Sequence, residues 1–377
     1  MRTLADPAIS ALVRRVSLNV TPPIPRTTRG HSRIPSTEDG PDKSIKPTTQ
    51  AQLRALIQAC PSLLRVEVAG IDPATLFPES PTPSFSHLHR IRLVSITHLS
   101  LCASPGAPLQ VYSLRAALLA LTGLRVLTCK GFVSNPAVPL DLAQQTLTHG
   151  KKTIRQHPLR LSKLRLAKLT LIDSSFSAVD LATLISHIAP GCLQSLTIDE
   201  IFAPVLAGEP AREPTLTALL LLPSPSPLSA LRHLRASLFN YPIIATASPA
   251  TPTDALVDAL MPSLRHLEVL DLGGPIASAE ILDHLPPSLE HLTLRGCSAL
   301  TAEVVHAFVA DLARRRKELG SGVRRVLGSS RKEGGWDEVG RLKVLEVHGG
   351  ATTGWKTPGT AWRVQKACWD AGVAWIG

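Results

Sequence analysis

Between Leu264 and Cys297 one short apolar pattern occurs twice, with a stretch of helical periodicity separating the copies. It reads Leu267-x-x-Leu270-x-Leu272-x-x-Pro275 and then Leu289-x-x-Leu292-x-Leu294-x-x-Cys297, and the two units start 22 residues apart. In the Leu-x-Leu core the two leucines point to one side of a short strand and the residue between them to the other. Each unit therefore carries one apolar edge that it cannot bury alone, and stacking on a like unit buries it. Residues 277–285 place Ile281, Leu282 and Leu285 at helical spacing, and Pro286-Pro287 then stops the helix and turns the chain into the next strand. Leu270 and Leu292 are expected to be buried rungs of adjacent turns, with Asp271 and Thr293 pointing the other way and tolerating alanine.

The same template recurs along the chain. It fits Val13-x-x-Val16-x-Leu18, Leu63-x-x-Val66-x-Val68, Leu88-x-x-Ile91-x-Leu93, Leu124-x-x-Leu127-x-Cys129, Leu166-x-x-Leu169-x-Leu171, Leu193-x-x-Leu196-x-Ile198, Leu231-x-x-Leu234-x-Ala236 and Leu342-x-x-Leu345-x-Val347. Successive starts lie 50, 25, 36, 42, 27, 38, 36, 22 and 53 residues apart. Several of these steps agree with the roughly 20 to 29 residues of a leucine-rich repeat, and the others call for insertions. Helical periodicity falls in the gaps, at residues 49–59, 112–121, 178–188, 254–261 and 301–319. The expected fold is an α/β leucine-rich-repeat solenoid: an irregular horseshoe with parallel strands on the concave face and helices outside. Residues 1–20 make the first strand unit, and residues 21–48, rich in Pro, Thr, Ser and charge, read as a disordered insertion. Residues 49–377 make the solenoid, with loops at 203–227, 240–253 and 320–340 and a C-terminal cap over 360–377.

Aromatic residues are only 4% of the chain, so leucine, valine and alanine must fill the core. The formal charge of +11 suits an anionic partner, although arginine spread through an Arg-, Ala- and Pro-rich chain also reads as compositional drift. The six cysteines lie far apart without a CxxC and look like small buried hydrophobes of a reducing compartment. No apolar run is long enough to cross a bilayer and the N-terminus has no apolar leader, so a cytoplasmic or nuclear protein without a membrane partner is expected.

Catalytic signatures are weak. Residues 349–357 approach a phosphate loop, but Trp355 separates Gly354 from Lys356, and Pro358-Gly359 interrupts the helix whose N-terminus would hold the phosphate. His233, His266 and His291 recur two residues after repeat-opening leucines, with no HExxH or Cys/His cluster beside them. No catalytic, cofactor-binding or metal-ligating residue is assigned, and no cofactor is expected. Basic clusters at Lys151-Lys152, residues 155–168, residues 314–317, Arg324-Arg325 and Arg331-Lys332 could contact phosphates, which keeps a polyanion or nucleic-acid binder open as an alternative. An uncharacterised enzyme is the remaining one.

The run from Gln58 to Val68, QACPSLLRVEV, the repeat with Cys297, and the ending from Trp362 to Val373, WRVQKACWDAGV, resemble the leucine-rich-repeat region of fungal F-box-type proteins. In that group a helix ending in a Cys-Pro-x-Leu turn feeds each strand, and the C-terminus closes with a helix and a short strand. The resemblance implies a non-enzymatic protein-interaction module that recognises substrates for a ubiquitin ligase. Docking to a ligase adaptor is not expected of the stretch itself, because residues 1–11 lead almost directly into the strand at Val13 where that family carries its F-box.

If the leucines face inward, the residues around them line the open strand face. The candidate partner-binding residues are Arg65, Arg90, Arg92, Lys130, Lys168, Arg235 and Arg295, with Arg15 beside them and Glu67, Asp199, Asp271 and Glu346 as the opposing carboxylates. The expected partner is an acidic or phosphorylated protein segment, held by Arg65, Arg90 and Arg92 because guanidinium can grip a carboxylate or phosphate bidentately.

Overall fold

The computed structural model describes residues 13–19, 55–57, 59–60, 62–77, 95–104, 106–140, 142, 148–149, 152–153, 163–201, 216, 219, 222, 228–239, 257–320, 341–348, 355 and 359–377. The stretches expected to be disorder or loop at 21–48 and 240–253 lie outside these residues, as do 321–340 and nearly all of 203–227. The chain falls into two compact units, residues 1–165 and 166–377. Its main architecture is a mixed α/β one in which 11 parallel strands follow chain order, flanked by helices.

The first unit contains β1 (Arg15–Asn19), β2 (Arg65–Ala69), the short α1 (Pro73–Leu76), β3 (His98–Cys102), α2 (Leu114–Ala120) and β4 (Val126–Lys130). The strands pair in parallel with their apolar positions in register, so Val16, Val66, Leu99 and Leu127 form one rung and Leu18, Val68, Leu101 and Cys129 the next. The alternation works as the sequence implies: β2, β3 and β4 each bury their second and fourth residues and leave the others accessible. Helix α2 follows a 3-10 turn at Val111–Ser113 and buries Leu114, Ala116, Ala117 and Leu118. Two small ribbons, Leu109–Gln110 with Phe132–Val133 and Thr148–His149 with Lys152–Thr153, complete the unit.

One strand is not where the sequence pattern puts it. The neighbour of β2 is His98–Cys102, opened by Ile96, and not a strand opened by Leu88. Both stretches satisfy the apolar template and share Ile96, the last residue of one and the first of the other. Pairing decides between them: Thr97 and His98 both donate to the Leu64 carbonyl, and the Thr97 carbonyl accepts from Arg125 and Val126.

The second unit contains β5 (Lys168–Ile172), α3 (Ala178–Ser186), β6 (Ser195–Ile201), β7 (His233–Phe239), β8 (Val269–Gly273), β9 (His291–Arg295), α4 (Ala302–Gly320), β10 (Val344–His348), α5 (Thr360–Asp370) and β11 (Ala374–Ile376). Leu169, Leu196, Leu234, Leu270, Leu292, Leu345 and Trp375 stack as one rung across it. The connection after β8 is a 3-10 turn at Ala279–Asp283, capped by the Ser278 hydroxyl, where an α-helix over 277–285 is expected. Its five residues close only tight turns, and Ile281 and Leu282 still reach the core. Asp258, in the preceding 3-10 turn, accepts the Ser278 N–H at 3.3 Å and its hydroxyl, tying consecutive crossovers together. Helix α4 is clamped by Arg316, which donates to the Leu342 carbonyl at 2.7 Å and to the carbonyl of Ala371. The expected C-terminal helix and short strand are present as α5 and β11.

Two local devices repeat in both units. The residue just before eight of the strands offers its carbonyl to two successive N–H groups of the next turn: Arg14, Leu64 and Thr97 in the first unit, Ala167, Gln194, Arg232, Glu268 and Glu290 in the second. Just after β2, β4, β5, β8 and β9 the chain turns through a left-handed residue, namely Gly70, Gly131, Asp173, Gly274 and Gly296. The turn redirects the backbone off the sheet, and the freed N–H of Gly70 and Gly274 donates to the last carbonyl of the neighbouring strand, and that of Asp173 to the Asp199 carbonyl within β6, each at 2.8 Å.

No two of the six cysteines are bonded to each other. Burial pushes the Cys129 thiol well up and those of Cys297 and Cys368 up to about 11, as the small-hydrophobe reading implies. Among the described residues no helix is long and apolar enough to cross a membrane.

Candidate binding face

Parallel sheets are ordinarily covered on both faces, because crossover helices pack on each. In both units here the crossovers bury one face, the leucine rungs, while most residues between the leucines stay wholly or partly accessible, Thr170 and Thr293 being the buried exceptions. Register places these residues in rows, so each row can be read as a surface.

In the first unit the leading row runs Arg15, Arg65, His98, Val126 and the middle row Ser17, Glu67, Ser100, Thr128. Both arginines converge on Glu67: Arg15 Nη2 donates to its two carboxylate oxygens at 3.0 and 2.9 Å, and Arg65 Nε at 2.8 Å. The Arg15 hydrogen bond, with the charges of Arg15 and Arg65 behind it, holds the Glu67 carboxyl below the usual glutamate range against a smaller opposing effect of burial. A lowered carboxylate pKa stabilises the fold above the unfolded value, and that contribution is lost as pH falls through the folded one. Arg15→Ala should therefore raise the Glu67 midpoint toward the ordinary value, read as its side-chain carboxyl chemical shift against pH. An unchanged midpoint would show that Arg15 does not hold the carboxylate in solution.

Lys130 ends the third row of this unit, after Ala69 and Cys102, and is exposed. Arg14 and Arg125, exposed at the pre-strand positions, add two more cations to the same edge. The described strand positions of this face carry the cations Arg15, Arg65 and Lys130 and the carboxylate Glu67. Arg90 and Arg92 lie outside the described residues, and the slots next to Arg65 and Glu67 belong to His98 and Ser100. Of the expected trio Arg65, Arg90 and Arg92, only Arg65 is among the described residues.

The second unit carries a different surface. Arg235 donates to Asp199 at 2.8 Å and lies 3.7 Å from Asp271, while Arg295 grips Asp271 with two hydrogen bonds of 2.9 and 2.8 Å. The Ser237 hydroxyl donates to the far oxygen of Asp199, so acid and base alternate as Asp199, Arg235, Asp271, Arg295 across four strands. Glu346 continues the line, accepting from Thr293 at 3.2 Å with His348 Nε2 at 2.7 Å and His291 Nε2 at 3.4 Å. Burial alone would raise the Glu346 carboxyl, but the hydrogen bonds from His348 and Thr293 and the His348 charge outweigh it, and its pKa lies below the usual range. The pre-strand row repeats the theme with Arg232 to Glu268 and Lys343 to Glu290, each at 2.8 Å. With Lys168 counted, three cations meet three carboxylates at the strand positions of the open side, so this surface is balanced where that of the first unit is basic.

This network alters the expectation for Asp271 and Thr293. Both do lie on the side away from the leucines, yet Thr293 is buried and Asp271 half-buried under the guanidinium ladder. They are interior members of a polar layer and not free surface positions. Among the described residues no group of three or more His, Cys, Asp or Glu side chains is placed to hold a metal ion. No protein-family profile matches this chain, and no curated protein matches its sequence.

Proposed function

We propose that this chain is a leucine-rich-repeat-type solenoid working as a non-enzymatic protein-interaction module, similar to the substrate-recognition part of F-box-type ubiquitin ligase subunits. The observation that carries the reading is the one-sided burial of a parallel sheet. A face of aligned, polar, rigidly backed residues is left open, and its strands are held in register by paired carbonyl acceptors at most of the turns.

The proposed partner is an acidic or phosphorylated protein segment received by the basic face of the first unit, through Arg15, Arg65 and Lys130. On this reading Glu67 acts as a resident counter-ion that orients the two guanidiniums, and an incoming phosphate or carboxylate shares them. Lys168, Arg235 and Arg295 of the second unit play a smaller part, because Asp199 and Asp271 already engage the two arginines.

The test is fluorescence anisotropy with a labelled acidic phosphoserine peptide, comparing the wild type with the triple variant Arg15→Glu, Arg65→Glu, Lys130→Glu. Loss of roughly tenfold or more in affinity is expected, the scale of one charge-assisted contact. Equal affinity for a folded triple variant would overturn the assignment. Preference for a single-stranded oligonucleotide over the phosphopeptide, with a steep fall in salt, would replace it by the polyanion-binding alternative.

A further inference from the structure

Helix α5 presents two tryptophans to solvent: Trp362 is 60% and Trp369 80% exposed. They stand seven residues apart, which puts them on one side of the helix about 10 Å from each other. The face that packs on the protein, Val364, Ala367 and Cys368, is diametrically opposite. Tryptophan is the side chain with most to gain from burial and is enriched in the anchoring residues of interfaces. A stripe of two on a helix whose core contacts are already complete is an unpartnered face.

The charges beside the stripe identify what covers it. Arg363 and Asp370 follow the two tryptophans by one residue each, so they share one flank of the stripe. Both are exposed, and neither joins an ion pair among the described residues. Two copies of α5 laid antiparallel about a two-fold axis near residues 365 and 366 bring Trp362 of one onto Trp369 of the other. The same operation brings Arg363 opposite Asp370 of the second copy, twice by symmetry. Lys366 of each copy comes beside Lys366 of the other near the axis, where the ammoniums can separate by lying over the indoles. The two tryptophans and the Arg363–Asp370 pairs are what a second copy of the helix complements.

We propose that α5 is a self-association surface, pairing with α5 of a second copy in an isologous antiparallel contact. At the quoted exposures the four tryptophans remove on the order of 600 Å² from water, taking about 200 Å² for each buried ring. That is about half of the roughly 1,200 Å² at which stable interfaces begin, so the dimer is a weak and concentration-dependent one. This surface is separate from the basic face of the first unit, and its test does not depend on that assignment.

Sedimentation equilibrium of the full chain over a concentration series is the experiment. The wild type is expected to show a reversible monomer–dimer equilibrium. Trp362→Ala with Trp369→Ala should weaken it about 100-fold or more, as loss of two anchors does. Arg363→Asp and Asp370→Arg should each weaken it about tenfold, since like charges then face each other, and the double exchange should restore it to within about threefold. All these positions are solvent-facing, and circular dichroism checks that each variant is folded. A wild type that stays monomeric throughout, a dimer indifferent to the tryptophan changes, or a double exchange that fails to restore association would each overturn the proposal. Binding of the monomer to phosphatidylserine vesicles with a blue shift of tryptophan emission would overturn it in favour of a lipid surface as the occupant.

Discussion

Gly274→Ala is expected to destabilise the second unit by about 3 kcal/mol or more, whereas Gly296→Ala at the equivalent place one strand later should cost only about 1 to 2 kcal/mol. Both glycines turn the chain out of a strand at positive φ, +80° and +65°. An alanine therefore carries the left-handed penalty at either site. The difference is space: a Cβ at 296 would meet nothing within 4 Å, but one at 274 would stand 2.0 Å from the Leu238 carbonyl oxygen. That oxygen is backbone of β7, held in the parallel ladder, and no rotamer can move it aside. Relief requires β7 and the exit of β8 to part. Thermal unfolding of the two variants side by side decides the matter, at roughly 2 to 4 °C per kcal/mol for a unit of this size. Equal shifts would mean that the close approach of Gly274 to β7 is not present in solution.

Leu270→Ala and Leu292→Ala should each cost roughly 2 to 5 kcal/mol, the range for emptying a fully packed leucine site. Leu270 is 0% and Leu292 1% exposed, and the two are register partners in adjacent strands. Each lies between neighbours in the same rung, Leu234 on one side and Leu345 on the other, so neither cavity can close without moving a strand. Thr197, in the middle row on the open side of β6, provides the contrast: Thr197→Ala should change stability by about 0.5 kcal/mol or less. Chemical denaturation of the three variants tests the facing of the strands directly. A leucine variant as mild as Thr197→Ala would mean that the rung is not packed.

The sequence alone determines a good deal of this protein. Alternation within five residues is a local property, so Val66 and Val68, Leu169 and Leu171, or Leu292 and Leu294 could be assigned to one buried side before any neighbour was known. The exit turns carry a local mark that the leucine template does not use, a glycine after Ala69, Lys130, Gly273 and Arg295, where backbone sterics forbid most side chains. Helix α4, long and strongly periodic, was likewise fixed by its own residues, to within one position at each end.

What needed the tertiary structure is whatever depends on which strand lies next to which. Leu88 and Ile96 open equally good templates, and only the hydrogen bonds from Thr97 and His98 to the Leu64 carbonyl select the second. That shift of eight residues places Ser100 beside Glu67, in the register slot that the sequence pattern assigns to Arg92. The same holds for charge. Summing the face gives an excess of arginine, but Arg15, Arg65, Arg235 and Arg295 each hold a carboxylate that sits two to 52 residues away in sequence and one strand or less in space. Side-chain direction is set by the backbone of a single strand, whereas the partner of a charge is set by the stacking of strands about 4.8 Å apart, and no local pattern encodes that order.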